Sequence, residues 1–230
     1  MKNVAIITAG GTGERLPGEC KKQFRPIAGR PLLAYAIDNF YRHNKINNII
    51  VTVPEDDLEE AITLLIPLFP ESDVTVTAGG KTRQQSVLRA LNIVSEKTDL
   101  VLIHDGVRPF ADANDITDMV CLCHEVNAVI PVSRVKNTIK EIAENRVVRT
   151  VPREELVEVY TPQIFRYDLI VKYHRLAEQQ GMHFTDDAAV LEHYGIPVYV
   201  YETKKLNIKT TDRNDFEIVK LLIDRDGSPA

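Results

Sequence analysis

The sequence predicts an α/β fold: a Rossmann-like, mostly parallel sheet with helices on both faces, plus a protruding two-stranded arm. Three observations lead there. Apolar, β-rich runs alternate with stretches of helical spacing along most of the chain. The runs are continuously apolar, as strands covered on both faces should be. After Val132 the rhythm breaks into one segment where polar and apolar residues alternate.

The elements follow in order. NVAIIT (3–8) reads as a buried strand. PLLAYAIDNFYRH (31–43) reads as a helix with proline at its first position, where a missing N–H is harmless. NIIVTV (48–53) is a second strand and DDLEEAITLLIPLF (56–69) a second helix. DVTVTAGG (73–80) is a strand ending in glycines, followed by a helix from Thr82 to Val94. DLVLIHD (99–105) is a buried strand ending in charge. A helix from Asp112 and the strand AVIPV (128–132) come next. This βα order argues for parallel strands joined by helical crossovers. SRVKNTIKEIAENRVVRTVPREEL (133–156) reads as the arm, with Glu144 and Asn145 at its middle. A two-stranded ribbon is marginal alone, so it should lean on a second subunit. Helices over 167–180, 186–193 and 212–224, with the strand PVYVYE (197–202) between, complete the chain. With 230 residues, no repeat and no linker, a single domain over 1–230 carrying the arm at 133–156 is the simplest account.

Composition narrows the partners. At 44% apolar and 27% charged the chain is an ordinary globular one. A net charge of −5 argues against nucleic-acid binding, which needs a basic surplus. No apolar run approaches the ~20 residues of a membrane span. The N-terminus enters a strand at once and has no signal-peptide anatomy. Cys20, Cys121 and Cys123 form neither a disulfide framework nor a CxxC pair, so the expected location is the reducing cytoplasm.

In open α/β sheets, ligands bind at the carboxyl ends of strands. Four strand ends carry suitable groups: AGGTGER (9–15), AGGKTRQQS (78–86), DGVRP (105–109) and SRVKNT (133–138). Glycine lets a ligand approach the backbone, and exposed N–H groups suit phosphate oxygens. A glycine run alone is equally a tight turn. The bases Arg15, Lys21, Lys22 and Arg25 alone are equally a solvated face. Together, after a strand, they favour an anion site. No GK[ST] follows, and the third glycine of GxGxxG is missing, so a P-loop ATPase and an NAD enzyme are both poorly supported. Asp105 ends a buried strand well before the next helix, which favours a functional carboxylate over a helix cap. His104 reads as a packed neighbour, because no second His or Cys stands at metal spacing. Asp186 and Asp187 of FTDDAAV read as helix caps.

The motifs AGGTGERL…KKQF, GGKTRQQSV, HDGVRPF, VKNTIK, TVPREEL, YTPQIF, FTDDAAVLE and NIKTT run from residue 9 to 211. In series they resemble the cytidylyltransferases of small polyol phosphates. That family includes the 2-C-methyl-D-erythritol 4-phosphate enzymes of isoprenoid synthesis and the ribitol 5-phosphate enzymes of cell-wall polymers. The resemblance implies transfer of CMP from CTP to a polyol phosphate, with Mg²⁺ as cofactor and release of pyrophosphate. It implies that Arg15, Lys22 and Lys209 neutralise the reacting phosphates. Ala9, Gly10, Gly11, Gly13, Gly80 and Ser86 would bind the nucleotide. Asp105, Arg108, Thr138, Arg153, Thr161 and Lys209 would bind the polyol phosphate, Thr138 and Arg153 from the arm of a homodimer partner. Asp105 is also a candidate contact for Mg²⁺, held mainly through phosphates. The family's proline before the lysine is Lys21 here, its acid before the arm threonine is Asn137, and its Asp before the arm arginine is Pro152. Methylerythritol phosphate is the favoured acceptor and ribitol phosphate the alternative. A non-catalytic nucleotide-binding or assembly module on the same fold is a reading of another class, and a nucleotidyltransferase using UTP or a sugar 1-phosphate is a third reading.

Overall fold

The computed structural model describes residues 1–11, 20–41, 43–70 and 73–226. Its first strand, β1 (Asn3–Thr8), runs into the glycine loop. The two-residue strands β2 (Pro26–Ile27) and β3 (Arg30–Pro31) pair and lead into helix α1 (Leu32–Asp38). Strand β4 (Asn48–Val53), helix α2 (Leu58–Leu65), strand β5 (Val74–Ala78) and helix α3 (Arg83–Ile93) follow. Next come β6 (Leu100–Asp105), α4 (Ala113–Val126) and β7 (Ala128–Arg134). The arm is β8 (Ile139–Ala143) and β9 (Arg146–Val151), antiparallel, with Glu144 and Asn145 at positive φ in the turn. Then come β10 (Val157–Val159), β11 (Gln163–Arg166), α5 (Tyr167–Gln179), α6 (Asp187–His193), β12 (Tyr199–Glu202) and α7 (Arg213–Asp226).

Among the described residues the main sheet has eight strands, in the path β10-β7-β11-β6-β1-β4-β5 with β12 also on β7. Val132 pairs with both Val159 and Glu202, and Val129 with both Ile164 and Tyr199. Hence β10 and β11 share one edge of β7, and β12 lies along the other. From β1 the chain moves outward through β4 to β5, then returns to place β6 on the opposite side of β1. That reversal opens a crevice at the carboxyl ends of β1 and β6.

The continuous apolar runs are explained by two cores. Ala5 and Ile7 of β1 pack with Leu33, Ala34, Ala61, Met119 and Val120 from α1, α2 and α4. Val4 and Ile6 face Val87, Leu91, Ile170 and Leu191 from α3, α5 and α6. Each strand therefore needs apolar residues at every position, not every second one. A third cluster, including Ile27, Leu32, Val107, Val219 and Ile223, packs α7 near the crevice.

Three expectations are corrected in detail. Helix 31–43 spans only Leu32–Asp38, because the N–H groups of Phe40 and Tyr41 both turn back to Ile37 O. Pro31 is its N-cap, not its first helical residue. Helix 56–69 is α-helical only over Leu58–Leu65, with tighter turns at Glu55–Asp57 and Ile66–Leu68. Pro67, which has no N–H, limits its extension. Strands β10 and β11 were not expected. They are three and four residues long, too short to show a period, and β11 wedges antiparallel between β6 and β7.

Candidate active site

A cavity of about 270 Å³ lies at the crevice. Ala9, Gly10, Gly11, Lys22, Gly80, Ser86, Asp105 and Lys209 all line it, together with Arg83. Residues separated by 200 positions in sequence meet there because β1, β5 and β6 end side by side. Gly13 and Arg15 lie outside the described residues. A larger groove of about 830 Å³ at the opposite end of the sheet, around Thr98, Arg166 and Lys172, is distant from these groups.

The glycine loop is anchored on both sides of its opening. Ala9 N–H donates to Thr52 O (2.8 Å), and Ala9 O accepts from Gln23 Nε2 (3.0 Å). Gln23 is buried, so it ties the loop's return to its start. The adjacent Lys22 opens a short 3-10 turn (Lys22–Phe24) and donates from Nζ to Thr210 O at 3.2 Å. Lys21 takes the place of a rigid proline with a different device. Its Nζ meets both oxygens of Asp57 at 2.7 Å, and the Asp57 side chain is only 9% exposed.

At the end of β5, Ser86 organises the second glycine pair. Its Oγ accepts from Gly80 N–H (3.0 Å) and donates to Thr82 O (2.9 Å). Thr82 caps α3 by accepting from Gln85 N–H. No side chain fits at Gly80: a Cβ there would stand 2.3 Å from Gln85 Cβ. The loop therefore hugs the helix start and leaves backbone groups facing the cavity.

Asp105 is the electrostatic centre. Arg83 Nε reaches its Oδ1 (3.2 Å), while Arg108 Nε (3.3 Å) and Lys209 Nζ (2.9 Å) reach its Oδ2. Burial alone would raise the Asp105 carboxyl. Arg83, Lys209 and Arg108 outweigh that and hold it well below the usual carboxylate range. A closed hydrogen-bond circuit supports it from beneath. Asp105 N–H donates to Thr161 Oγ1 (3.1 Å), and the Thr161 hydroxyl donates to His104 Nδ1 (3.0 Å). His104 Nε2–H donates to Arg108 O (2.9 Å). Full burial pushes His104 down to about 4, so the ring is neutral near pH 7 in a single tautomer. His104 is thus a packed, hydrogen-bonded neighbour as expected. Thr161 is buried and spends its hydroxyl inside this circuit.

Arg108 and Lys209 also border a second cavity, about 640 Å³, with Arg134, Lys136, Lys204 and Lys205 on its wall. Six cations against Glu158 and Glu202 make it a basic basin. Lys209 lines both cavities. Thr138 and Arg153 of the same chain border neither; they stand exposed on the arm, where Arg153 Nη1 donates to Lys136 O at 2.6 Å. Asp186 caps α6 as expected, accepting from Ala189 N–H. Asp187 does not cap. It is buried against Arg83 and His174. Arg83 and Gln23 were not singled out as site residues by the sequence reading. The signal for Arg83 was its place beside a strand-end glycine pair, in GGKTR.

Backbone groups left open at Gly10, Gly11 and Gly80, beside the cations Lys22 and Lys209, suit a nucleoside triphosphate, and the class this defines on an α/β sheet is a nucleotidyltransferase. The chain belongs to the 2-C-methyl-D-erythritol 4-phosphate cytidylyltransferase family, whose model matches residues 3–225. It is an enzyme of a CTP-dependent family. A relative from Clostridium novyi, described as 2-C-methyl-D-erythritol 4-phosphate cytidylyltransferase, is 38% identical over 97% of both chains. The crystal structure of 4-diphosphocytidyl-2C-methyl-D-erythritol synthase from Anaerococcus prevotii superposes with a TM-score of 0.84 at 29% identity, covering 97% of this chain and 96% of that one. The Francisella tularensis 2-C-methyl-D-erythritol 4-phosphate cytidylyltransferase gives 0.81 at 27%, covering 97% and 100%.

Proposed function

We propose that the protein transfers the cytidylyl group of CTP to 2-C-methyl-D-erythritol 4-phosphate and releases pyrophosphate. The observation that carries this is the convergence of Ala9–Gly11, Lys22, Gly80, Asp105 and Lys209 in one cavity, adjoined through Lys209 by a basic basin. Two anionic substrates need two neighbouring cationic sites.

A phosphate oxygen of the acceptor attacks the α-phosphorus. The bond from that phosphorus to the bridging oxygen of the β-phosphate breaks, and the electron pair leaves with pyrophosphate. The acceptor is ionised at neutral pH, so no side-chain base is needed. Catalysis is positioning and charge neutralisation. The backbone of Ala9–Gly11, with Gly13, cradles the triphosphate, and Lys22, Lys209 and Arg15 offset its charge. Gly80, held by Ser86, presents backbone groups to the cytosine edge. The basic basin receives the acceptor phosphate beside Arg108 and Lys209, while Thr161 acts from beneath by holding the Asp105 backbone.

Mg²⁺ would be held mainly by the CTP phosphates, where it would supply charge neutralisation beside Lys22 and Lys209. Both Asp105 oxygens already face protein cations, and the described residues contain no group of three His, Cys, Asp or Glu side chains able to hold a metal. The arm pairs two chains into a homodimer, with Thr138 and Arg153 reaching the partner's acceptor site. Ile142, Val147 and Val148 stand more than half exposed on the arm, an apolar surface suited to a second copy. No helix among the described residues is long and apolar enough to cross a membrane.

The test is pyrophosphate release with Mg²⁺, each of the four nucleoside triphosphates, and either methylerythritol 4-phosphate or ribitol 5-phosphate. Release is expected with CTP and methylerythritol phosphate. None with any pair would overturn the enzyme reading. Preference for ribitol phosphate would overturn the acceptor, and UTP in place of CTP the base.

A further inference from the structure

We infer that Asp187 is a positioning residue for the cavity: it fixes the Arg83 guanidinium, and Arg83 in turn holds the Asp105 carboxylate in place. The inference rests on the reaction proposed above.

Asp187 is only 1% exposed. An ionised carboxylate is costly to bury unless it is paired. Its helix does not need it: Asp186 already caps α6, and its neighbours Ala188, Val190 and Leu191 are buried and apolar. The carboxylate instead meets Arg83 Nη1 at 2.8 Å through Oδ2 and His174 Nε2 at 3.2 Å through Oδ1. Both contacts are close in distance, and the one with Arg83 is an ion pair. Burial works against that charge, yet Arg83 and then His174 keep the Asp187 carboxyl below its ordinary value.

Among the described residues, Arg83 is the one cation that touches both carboxylates. Its planar fork lies between Asp187 and Asp105, which fixes the guanidinium in orientation as well as place. A row of contacts, His174–Asp187–Arg83–Asp105–Lys209, thus runs from the protein interior to the cavity wall. Its last member is its loosest: the Lys209 side chain is 42% exposed, against 30% for Arg83. When an anionic substrate arrives, Lys209 turns from Asp105 to a phosphate oxygen. Arg83, gripped from behind by Asp187, stays and keeps Asp105 ionised and aimed.

A purely structural ion pair tying α6 to α3 predicts a different outcome. The two are separated by a double-mutant cycle on the full-length protein: Arg83→Met, Asp187→Asn and the double variant, assayed for kcat and KM by pyrophosphate release, with thermal melts by circular dichroism. The wild type is assayed first; no release there strikes the reaction, whereas an active wild type isolates the positioning role. Each single variant should lower kcat/KM by roughly tenfold to 100-fold at temperatures well below its melt, the loss expected when a reacting group is slightly misplaced. The double variant should lose little beyond the worse single one, because both act through Arg83. If the losses multiply, or if folded Asp187→Asn keeps wild-type kcat/KM and only melts earlier, the inference is overturned. Asp187→Glu covers an asparagine variant that does not fold. It retains the charge but displaces it, and should lower kcat/KM in the same non-additive way.

Discussion

The buried ring of His104 makes acid stability a direct readout of the circuit beneath Asp105. The perturbation is His104→Gln, which removes the titrating group. Burial lowers the ring from an ordinary 6.5 to about 4. The sign follows from which state binds more protons. Below pH 6.5 the unfolded chain gains a proton on this ring that the folded chain refuses until about pH 4. Stability contributed by the neutral ring is therefore present above 6.5 and lost progressively as pH falls toward 4. Between pH 7 and pH 5 the two values imply a loss of about 2 kcal/mol, since each full unit of difference is worth about 1.4 kcal/mol. Urea unfolding of both proteins at pH 7 and pH 5 measures it, provided the m-value is unchanged. The wild type should lose about 2 kcal/mol more than His104→Gln over that interval. Equal losses would refute the claim that His104 is held neutral, and with it the hydrogen bond from Thr161 to Nδ1.

Lys22→Ala should lower kcat by roughly 100-fold or more with an unchanged circular dichroism spectrum, as expected on removing a charge that stabilises the transition state; near-normal turnover would remove it from the catalytic set. Gly80→Ala forces a Cβ to within 2.3 Å of Gln85 Cβ, so the start of α3 must shift. KM for CTP should rise well ahead of any change for the acceptor, and an unchanged KM would mean that Gly80 does not present the nucleotide site. Lys21→Met leaves the 9% exposed Asp57 side chain without its 2.7 Å partner. Because Lys21 itself is 38% exposed, the expected loss is only about 1 kcal/mol in urea unfolding. Light scattering should find a dimer in the wild type and a monomer in Ile142→Asp, whose new charge falls on the exposed arm; a wild-type monomer would refute the arm's proposed role.

Much of the fold was legible because its strands need apolar residues on both faces. NVAIIT, NIIVTV and LVLIHD are continuous for that reason, and they mark β1, β4 and β6 almost to the residue. Capping chemistry is equally local. Thr82, Asp112 and Asp186 precede helices and accept backbone N–H groups there, as their short polar side chains allow. The glycine pairs and the terminal Asp105 stood at strand ends in the sequence, and β1, β5 and β6 bring them to one cavity.

Long-range pairing was not legible. VEV and QIFR carry no period, and β11 owes its place to the gap between β6 and β7. Nor does a sequence say which charges meet. Asp186 and Asp187 are chemically identical neighbours, yet one caps its helix at the surface while the other is buried against Arg83. Successive residues at a helix start point in different directions, and only the packing of α5 and α6 on α3 decides which direction is inward. Local pattern alone marks the strands β1, β4 and β6, the helix caps and the strand ends that carry charge. Tertiary structure alone decided that Arg83, Arg108 and Lys209 share one carboxylate, because the energy of a charge depends on what surrounds it in space and not on its neighbours along the chain.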